Sequence, residues 1–305
     1  MRREAGGTIL LVMEDKRPPV PQASEAPLHL RPTWAPACWL DHAGASIRGP
    51  VRPDNQDFWL AEPELGLWLL ADGIASRGKG AVASSLALHT IAAEVRRGLD
   101  DGLAATPAGD SEDGVKLLVS AFAAAHLRLL DASRDEAPRA AMGTTVVGLS
   151  LRESEAILVH LGDSRCYSYS RGSAVQVTTD HNVATALKSP NLSELARQTM
   201  QGLNPRAITR ALGCGNLAPP RPSVVRLNSR CSELLVLTSD GVHDPLGPQG
   251  IARVLDSTGG TLLARAQALV EAAVAAGGKD NATVVLVRPP ASGRQRAPLG
   301  TTARL

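Results

Sequence analysis

Aspartate recurs where short apolar runs begin or end. The run Gly66–Ala71 leads into Asp72 and Gly73, and the run ending at Leu161 leads into Gly162-Asp163-Ser164-Arg165. A third run, ending at Thr238-Ser239, meets Asp240-Gly241, with Asp244 four positions later; Asp280-Asn281 directly precedes Ala282–Val287, and Asp57 precedes Phe58-Trp59-Leu60. Singly, each has an ordinary explanation, because Asp bonds its own backbone in turns and Gly accepts positive φ. As a set they say more, since turns accept Asn, Ser or Pro equally well. If the runs are strands lying side by side, several carboxylates converge, and cations would relieve their repulsion. All-oxygen ligation suits a hard ion such as Mg²⁺ or Mn²⁺ and not zinc. Two such ions can lower the pKa of a bridging water and hold phosphoryl oxygens for in-line attack. Arg52, just upstream of Asp57, could supply the planar fork that matches two phosphate oxygens.

The elements that must position these residues can be read from pattern. Helical spacing appears in Leu88, Ile91, Ala92 and Val95, within a segment from Gly80 to Leu99. It appears again in Leu118, Phe122, Ala125 and Leu129, and in Leu262, Ala266, Leu269 and Ala273. The runs at 66–71, 144–151, 155–161, 233–238 and 282–287 have the length and flanking turn residues of strands. Four polar residues from Arg152 to Glu155 can close a hairpin between two of them, which favours antiparallel pairing with helices packed outside.

Composition narrows the possibilities. The 305 residues suffice for a sizeable core; with aromatics at only 3%, that core must be built from Leu, Val, Ala and Ile. A formal charge of +2 gives no ground for a nucleic-acid or membrane-surface partner. No apolar run is long enough for a membrane span, and the basic start followed by a short apolar patch is interrupted by Glu14 and Asp15, unlike a signal peptide. Cys38, Cys166, Cys214 and Cys231 lack zinc or redox spacing and are expected to be reduced, mostly buried thiols of a cytoplasmic protein. Residues 1–35 are expected to be a flexible extension and 289–305 a disordered tail, leaving 36–288 as one domain.

Eight short motifs occur in one order: Arg52-x-x-Asn55-x-Asp57, Ala71-Asp72-Gly73, Gly143-Thr144-Thr145, Gly162-Asp163-Ser164-Arg165, Thr179-Asp180-His181, Thr209-Arg210-Ala211-Leu212-Gly213, Ser239-Asp240-Gly241 and Asp280-Asn281-x-Thr283. In this the chain resembles the metal-dependent protein phosphatases of the protein phosphatase 2C (PPM) type, over roughly residues 40–288. The resemblance implies an α+β fold, a four-layer α-β-β-α sandwich of two central antiparallel sheets flanked by helices. It implies hydrolysis of phosphoserine and phosphothreonine in proteins by metal-activated water, with two Mg²⁺ or Mn²⁺ ions and a third, weaker site.

By position, Asp72 would bridge the two ions and Gly73 would offer its carbonyl, with Asp240 and Asp280 completing the first ion's protein ligands. Asp163, Asp240 and Asp244 match the third site, Arg52 the phosphate-binding arginine, and Asp57 a supporting acid near the second ion. The stretch from about 181 to 206 falls where the family has its flap. Phosphoprotein substrates, a cognate Ser/Thr kinase or its targets and a monomeric state are implied in the same way, and a composition rich in Ala, Arg and Gly with compact motif spacing suggests a bacterial source.

Three departures stand out. Gln56 replaces the usual Glu, removing a charge at the second ion; Ala75-Ser76 replace two glycines; and Ile74 stands where some members carry a His proposed as general acid. His243 could donate a proton in its place, although a lone His more often serves structure. Gln56 and the altered loop also motivate a second reading, a weak or inactive module that binds a phosphoprotein or regulatory partner. Retention of Asp72, Asp240 and Asp280 counts against it. A different metal enzyme built on the same site is a third.

Overall fold

The computed structural model describes residues 10–11, 41–74, 79–103, 112–134, 142–152, 155–215 and 217–290. Twelve strands among them form two antiparallel sheets. One sheet has the order β1 (Leu10–Leu11), β2 (His42–Ile47), β12 (Ala282–Val287), β11 (Leu234–Thr238), β8 (Arg165–Ser170) and β9 (Ser173–Gln176). The other runs β10 (Ser223–Asn228), β7 (Glu155–Leu161), β6 (Val146–Arg152), β4 (Leu67–Ile74) and β3 (Asp57–Glu62), with β5 (Gly143–Thr144) paired to the end of β4.

The apolar runs are continuous because the central strands are covered on both faces. Alternate residues then divide between two cores. In β4, Leu67, Leu69 and Ala71 pack with α1 (Lys79–Asp100) and α2 (Glu112–Ala132), whereas Trp68 and Leu70 point toward the opposite sheet. In β12, Ala282, Val284 and Leu286 face α5 (Asp240–Ser257) and α6 (Leu262–Ala275), and Val285 and Val287 face inward. Helix pair, sheet, sheet and helix pair are therefore stacked with three apolar layers between them. This is the four-layer α-β-β-α sandwich expected. The inner layer includes Trp68, Leu149, Leu158, Leu235 and Val285, so aliphatic side chains dominate it.

The three helical patterns and all five strand runs fall in elements of the expected kind. Arg152 and Glu155 are register partners, so the hairpin connection is two residues shorter than expected; Glu153 and Ser154 lie outside the described residues. Several elements escape the pattern reading, α5 and four strands among them. Helix α5 contains Pro245 and Pro248 and is broken at Gly247 (φ 60°, ψ 175°), so no single helical period runs through it. Strands β2, β8, β9 and β10 carry Ser, Gly or Arg among their apolar residues and are short of long apolar runs.

Of the expected N-terminal extension, Leu10–Leu11 pair with Ile47 and Ser46 along the edge of β2. The rest of residues 1–35 lies outside the described residues, as do Cys38, Ala75, Ser76 and residues 291–305 of the expected tail. The thiols correct an expectation: Cys166 is buried, but Cys214 and Cys231 are exposed. Both sit in connections, where no apolar layer covers them. Among the described residues, no helix is long and apolar enough to cross a membrane.

The inner layer supplies a stability test. Leu149→Ala should lower the unfolding free energy by about 2–5 kcal/mol, read as an earlier midpoint in urea. A loss below about 1 kcal/mol would mean that the two sheets are not closely packed there.

Candidate active site

The strand parity that buries Trp68 and Leu70 between the sheets carries on to Asp72, two residues before the end of β4. Asp57 is its register partner on β3, so the two carboxylates share a face. Asp240 opens α5 immediately after Ser239, Asp163 follows β7, and Asp280 precedes β12. Five separate elements thus bring aspartates to one end of the sandwich.

The structure holds them there by bonding the backbone around them. Thr145 donates its N–H to the Asp72 carbonyl at 2.8 Å, Thr144 Oγ1 donates to the same oxygen at 2.8 Å, and the Asp72 N–H donates to Thr145 Oγ1 at 3.1 Å. Thr145 Oγ1 lies 2.7 Å from Ser164 Oγ, tying the Asp72 strand to the Asp163 turn. Ser239 Oγ donates to Asp57 Oδ2 at 2.7 Å and accepts from the Thr283 N–H at 3.0 Å. Asn281 accepts from the Gln56 N–H at 2.9 Å and donates to the carbonyls of Arg48 and Asp54 at 2.8 and 2.9 Å, fixing the loop that carries Arg52.

Gly73 and Gly80 permit the closest approach. A Cβ at Gly80 would stand 2.2 Å from Gln56 Oε1 and 2.8 Å from the Gly73 carbonyl oxygen. Only a residue without a side chain lets α1 close against both. Gln56 therefore lies beside the Gly73 carbonyl.

The electrostatics are unfavourable to the carboxylates alone. Asp72 is held well above the ordinary carboxylate value, first by burial and then by the charges of Asp57, Asp240, Asp163 and Asp280. Burial and the neighbouring acids push Asp240 up to about 7. Asp57 rises to about 6, with burial the largest cause, opposed by its hydroxyl donors. Asp163 rises to about 6, also chiefly by burial. Two carboxylate oxygens, Asp57 Oδ1 and Asp240 Oδ1, are buried without a hydrogen-bond partner. Such an oxygen is costly unless a proton or cation meets it. An all-oxygen donor set with orphaned acceptors and mutual repulsion fits a hard divalent ion. Among the described residues, no three His, Cys, Asp or Glu side chains are already gathered closely enough to hold one. Asp280 is instead paired with Arg52 at 2.5 Å.

Of the remaining expected residues, Arg52 sits at the rim with 55% of its side chain exposed, facing Asp72 and Asp240 as well as Asp280. Asp244 is exposed on α5 and bonds Arg206 at 2.6 Å. His243 is buried, with Nδ1 2.9 Å from Thr238 Oγ1, and burial together with Arg165 and Arg206 keeps it neutral. It is a packing residue. The expected flap contains α3 (Val183–Lys188) and α4 (Glu194–Met200), capped by the side chains of Asn182 and Ser193. Pattern reading missed the supporting roles of Ser239, Thr145, Ser164 and Asn281. All four stand inside the quoted motifs; Ser164, Ser239 and Asn281 adjoin an aspartate, and that adjacency is the signal that marks them, whereas Thr145 adjoins none.

The fold and the site define a class. Residues 51–273 match the protein phosphatase 2C family, and the chain belongs to it. It is similar to the serine/threonine protein phosphatase PstP of Mycobacterium tuberculosis, 30% identical over 250 residues that cover 81% of this chain and 44% of that protein. The chain thus spans less than half the length of that relative. The serine/threonine phosphatase Stp of Listeria monocytogenes is 26% identical over 244 residues, covering 79% of this chain and 92% of Stp. Among solved structures, the PstP catalytic domain in complex with two manganese ions is similar with a TM-score of 0.63 at 28% identity, covering 82% of this chain and 97% of that one.

The raised carboxyls set a pH signature. Each binds its proton more tightly folded than unfolded, so between the ordinary value of 3.8 and about 7 the folded protein carries more protons. Their contribution to stability is therefore present at low pH and lost as pH rises through that window. With EDTA this erodes the Tm, and bound Mn²⁺ removes the repulsion. The gain in Tm on adding Mn²⁺ should be larger at about pH 8 than at about pH 5. Equal gains would acquit the carboxylates.

Proposed function

We propose that this protein is a divalent-metal-dependent phosphatase of phosphoserine and phosphothreonine in proteins. The convergence of Asp57, Asp72, Asp163, Asp240 and Asp280 in a partly buried cleft with Arg52 at its rim carries the reading. Family membership and the named activities of PstP and Stp support it.

In this reading Asp72, the Gly73 carbonyl, Asp240 and Asp280 would hold two Mg²⁺ or Mn²⁺ ions, Asp163 and Asp244 would join Asp240 at a third, and Gln56 and Asp57 would support the second. When bound, such ions make water a nucleophile near neutral pH and neutralise charge on the phosphoryl oxygens. The protein supplies the rest. The Arg52 guanidinium exchanges Asp280 for two phosphoryl oxygens and orients the ester. The Thr144–Thr145 bonds keep the Asp72 peptide from drifting, and Ser239 keeps the Asp57 carboxylate aimed at its register partner. Ile74 carries no proton donor and His243 is buried, so the leaving alkoxide takes its proton from water or from another residue.

The substrates are phosphoproteins, a cognate Ser/Thr kinase or its targets among them, and the protein acts as a monomer in a bacterial cytoplasm. The composition, rich in Ala, Arg and Gly, and the bacterial relatives support that setting.

Phosphothreonine peptide turnover should require Mn²⁺ or Mg²⁺, stop in EDTA, and fall by about a hundredfold or more in Asp240→Asn. Turnover that survives EDTA or that substitution would sink the proposal; binding of phosphopeptide without turnover would favour the non-catalytic module. Gln56→Glu restores a negative charge beside the Gly73 carbonyl and should lower the Mn²⁺ concentration for half-maximal rate by about three- to tenfold. An unchanged requirement would show that Gln56 does not face an ion.

A further inference from the structure

The flap leaves and rejoins the sandwich through two stems, and each is bonded to a segment that carries an aspartate of the site. On the incoming stem, the His181 N–H donates to the Gly162 carbonyl at 2.9 Å while the Gly162 N–H donates to His181 Nδ1 at 3.2 Å. This two-bond clamp grips the residue before Asp163. Gly162 has φ +97°, and its Cα lies against the Thr145 side chain, so the turn has little room to shift.

The imidazole of His181 is held on its other sides too. Its Nε2 lies 2.9 Å from Ser223 Oγ on β10, and the ring stacks on His160 at 4.8 Å with an interplanar angle of 12°. Because Nδ1 accepts from Gly162, the ring proton sits on Nε2 and goes to Ser223. Both rings stay neutral, since burial pulls His160 and His181 down to about 4.

On the outgoing stem, Leu212 and Thr144 exchange both backbone bonds, Thr144 N–H to Leu212 O at 3.1 Å and Leu212 N–H to Thr144 O at 2.9 Å. Thr144 Oγ1 is the donor to the Asp72 carbonyl at 2.8 Å. The stems are also joined to each other: Thr209 N–H bonds His181 O at 2.8 Å, and Asn182 bridges Ile208. Gly213 N–H bonds His126 Nδ1 at 3.1 Å, fixing the outgoing stem to α2.

We propose that His181 and Thr144 are positioning residues through which the base of the flap forms part of the carboxylate site, His181 setting Asp163 and Thr144 setting Asp72. The inference rests on the metal-holding roles proposed for those two aspartates. Groups behind metal ligands are worth about ten- to a hundredfold in affinity when they orient the ligand.

Conservative pairs separate positioning from simple packing. His181→Asn places a carbonyl oxygen near the position of Nδ1 and can still accept from Gly162, whereas His181→Leu cannot. Thr144→Ser keeps the donor to Asp72, and Thr144→Val removes it. Two measurements need no turnover: amide hydrogen exchange in EDTA, and Mn²⁺ affinity by calorimetry. His181→Leu should speed exchange at Gly162 and Asp163 and weaken Mn²⁺ binding by about tenfold or more, with His181→Asn returning most of both. Thr144→Val should do the same at Asp72 and Gly73, with Thr144→Ser restoring it. If His181→Leu does not fold, His181→Gln takes its place, because its amide reaches toward Ser223 and not Gly162. Leu or Gln variants that match Asn, or wild-type Mn²⁺ affinity in His181→Leu or Thr144→Val, would overturn the proposal. A wild-type protein that binds Mn²⁺ but leaves phosphopeptides intact would defeat the phosphatase reading without touching this one.

Discussion

Repulsion among buried carboxylates is the constraint around which the molecule is arranged. Desolvation and neighbouring charge raise Asp72, Asp57, Asp163 and Asp240 together, and two of their oxygens lack any partner. A chain free to relax would let these side chains swing outward. It cannot, because each aspartate is fixed by its backbone: Asp72 in β4 between Thr144 and Thr145, Asp240 at the start of a helix, and Asp163 in a turn gripped from the flap. The energy for this comes from the rest of the sandwich, where three apolar layers oppose the local penalty. The site is a strained end on a well-packed body.

The supports are backbone amides and short hydroxyl side chains with few rotamers, not long charged ones. Threonine and serine suit this work because they are small enough to sit buried beside a strand and can donate and accept at once. Thr145 Oγ1 illustrates it, taking the Asp72 N–H and meeting Ser164 Oγ in one place. A neutral support also leaves the net charge of the cleft to be settled by whatever binds there. Arg52 is the exception, an exposed cation at the rim paired with Asp280.

Much of this was legible in the sequence. The inner strands read as continuous apolar runs because they are covered on two sides, and α1, α2 and α6 because one apolar stripe meets one sheet. The aspartates were legible as a set, because the same residue type recurs where those runs begin or end. Helix α5 was not: Gly247 breaks its period, and its residues near Asp240 serve the site before they serve helicity. Strands β8 and β10 were hidden for another reason, since Arg165 and Arg226 point to ionic partners distant in sequence, Asp180 and Glu155, which pattern alone cannot pair. Contacts such as His181 with Gly162 depend on where two loops meet in space, and no local spacing encodes that meeting.

The flap is fastened by two kinds of bond that respond differently to the medium. At its base, His181, Thr209 and Leu212 use neutral, largely covered hydrogen bonds that dissolved ions do not weaken. Beside these, on the outgoing side, Arg206 meets Asp244 with 78% of the arginine side chain exposed, a pair that salt weakens. Rising salt therefore loosens the Arg206–Asp244 contact and leaves the backbone and histidine bonds at the base intact.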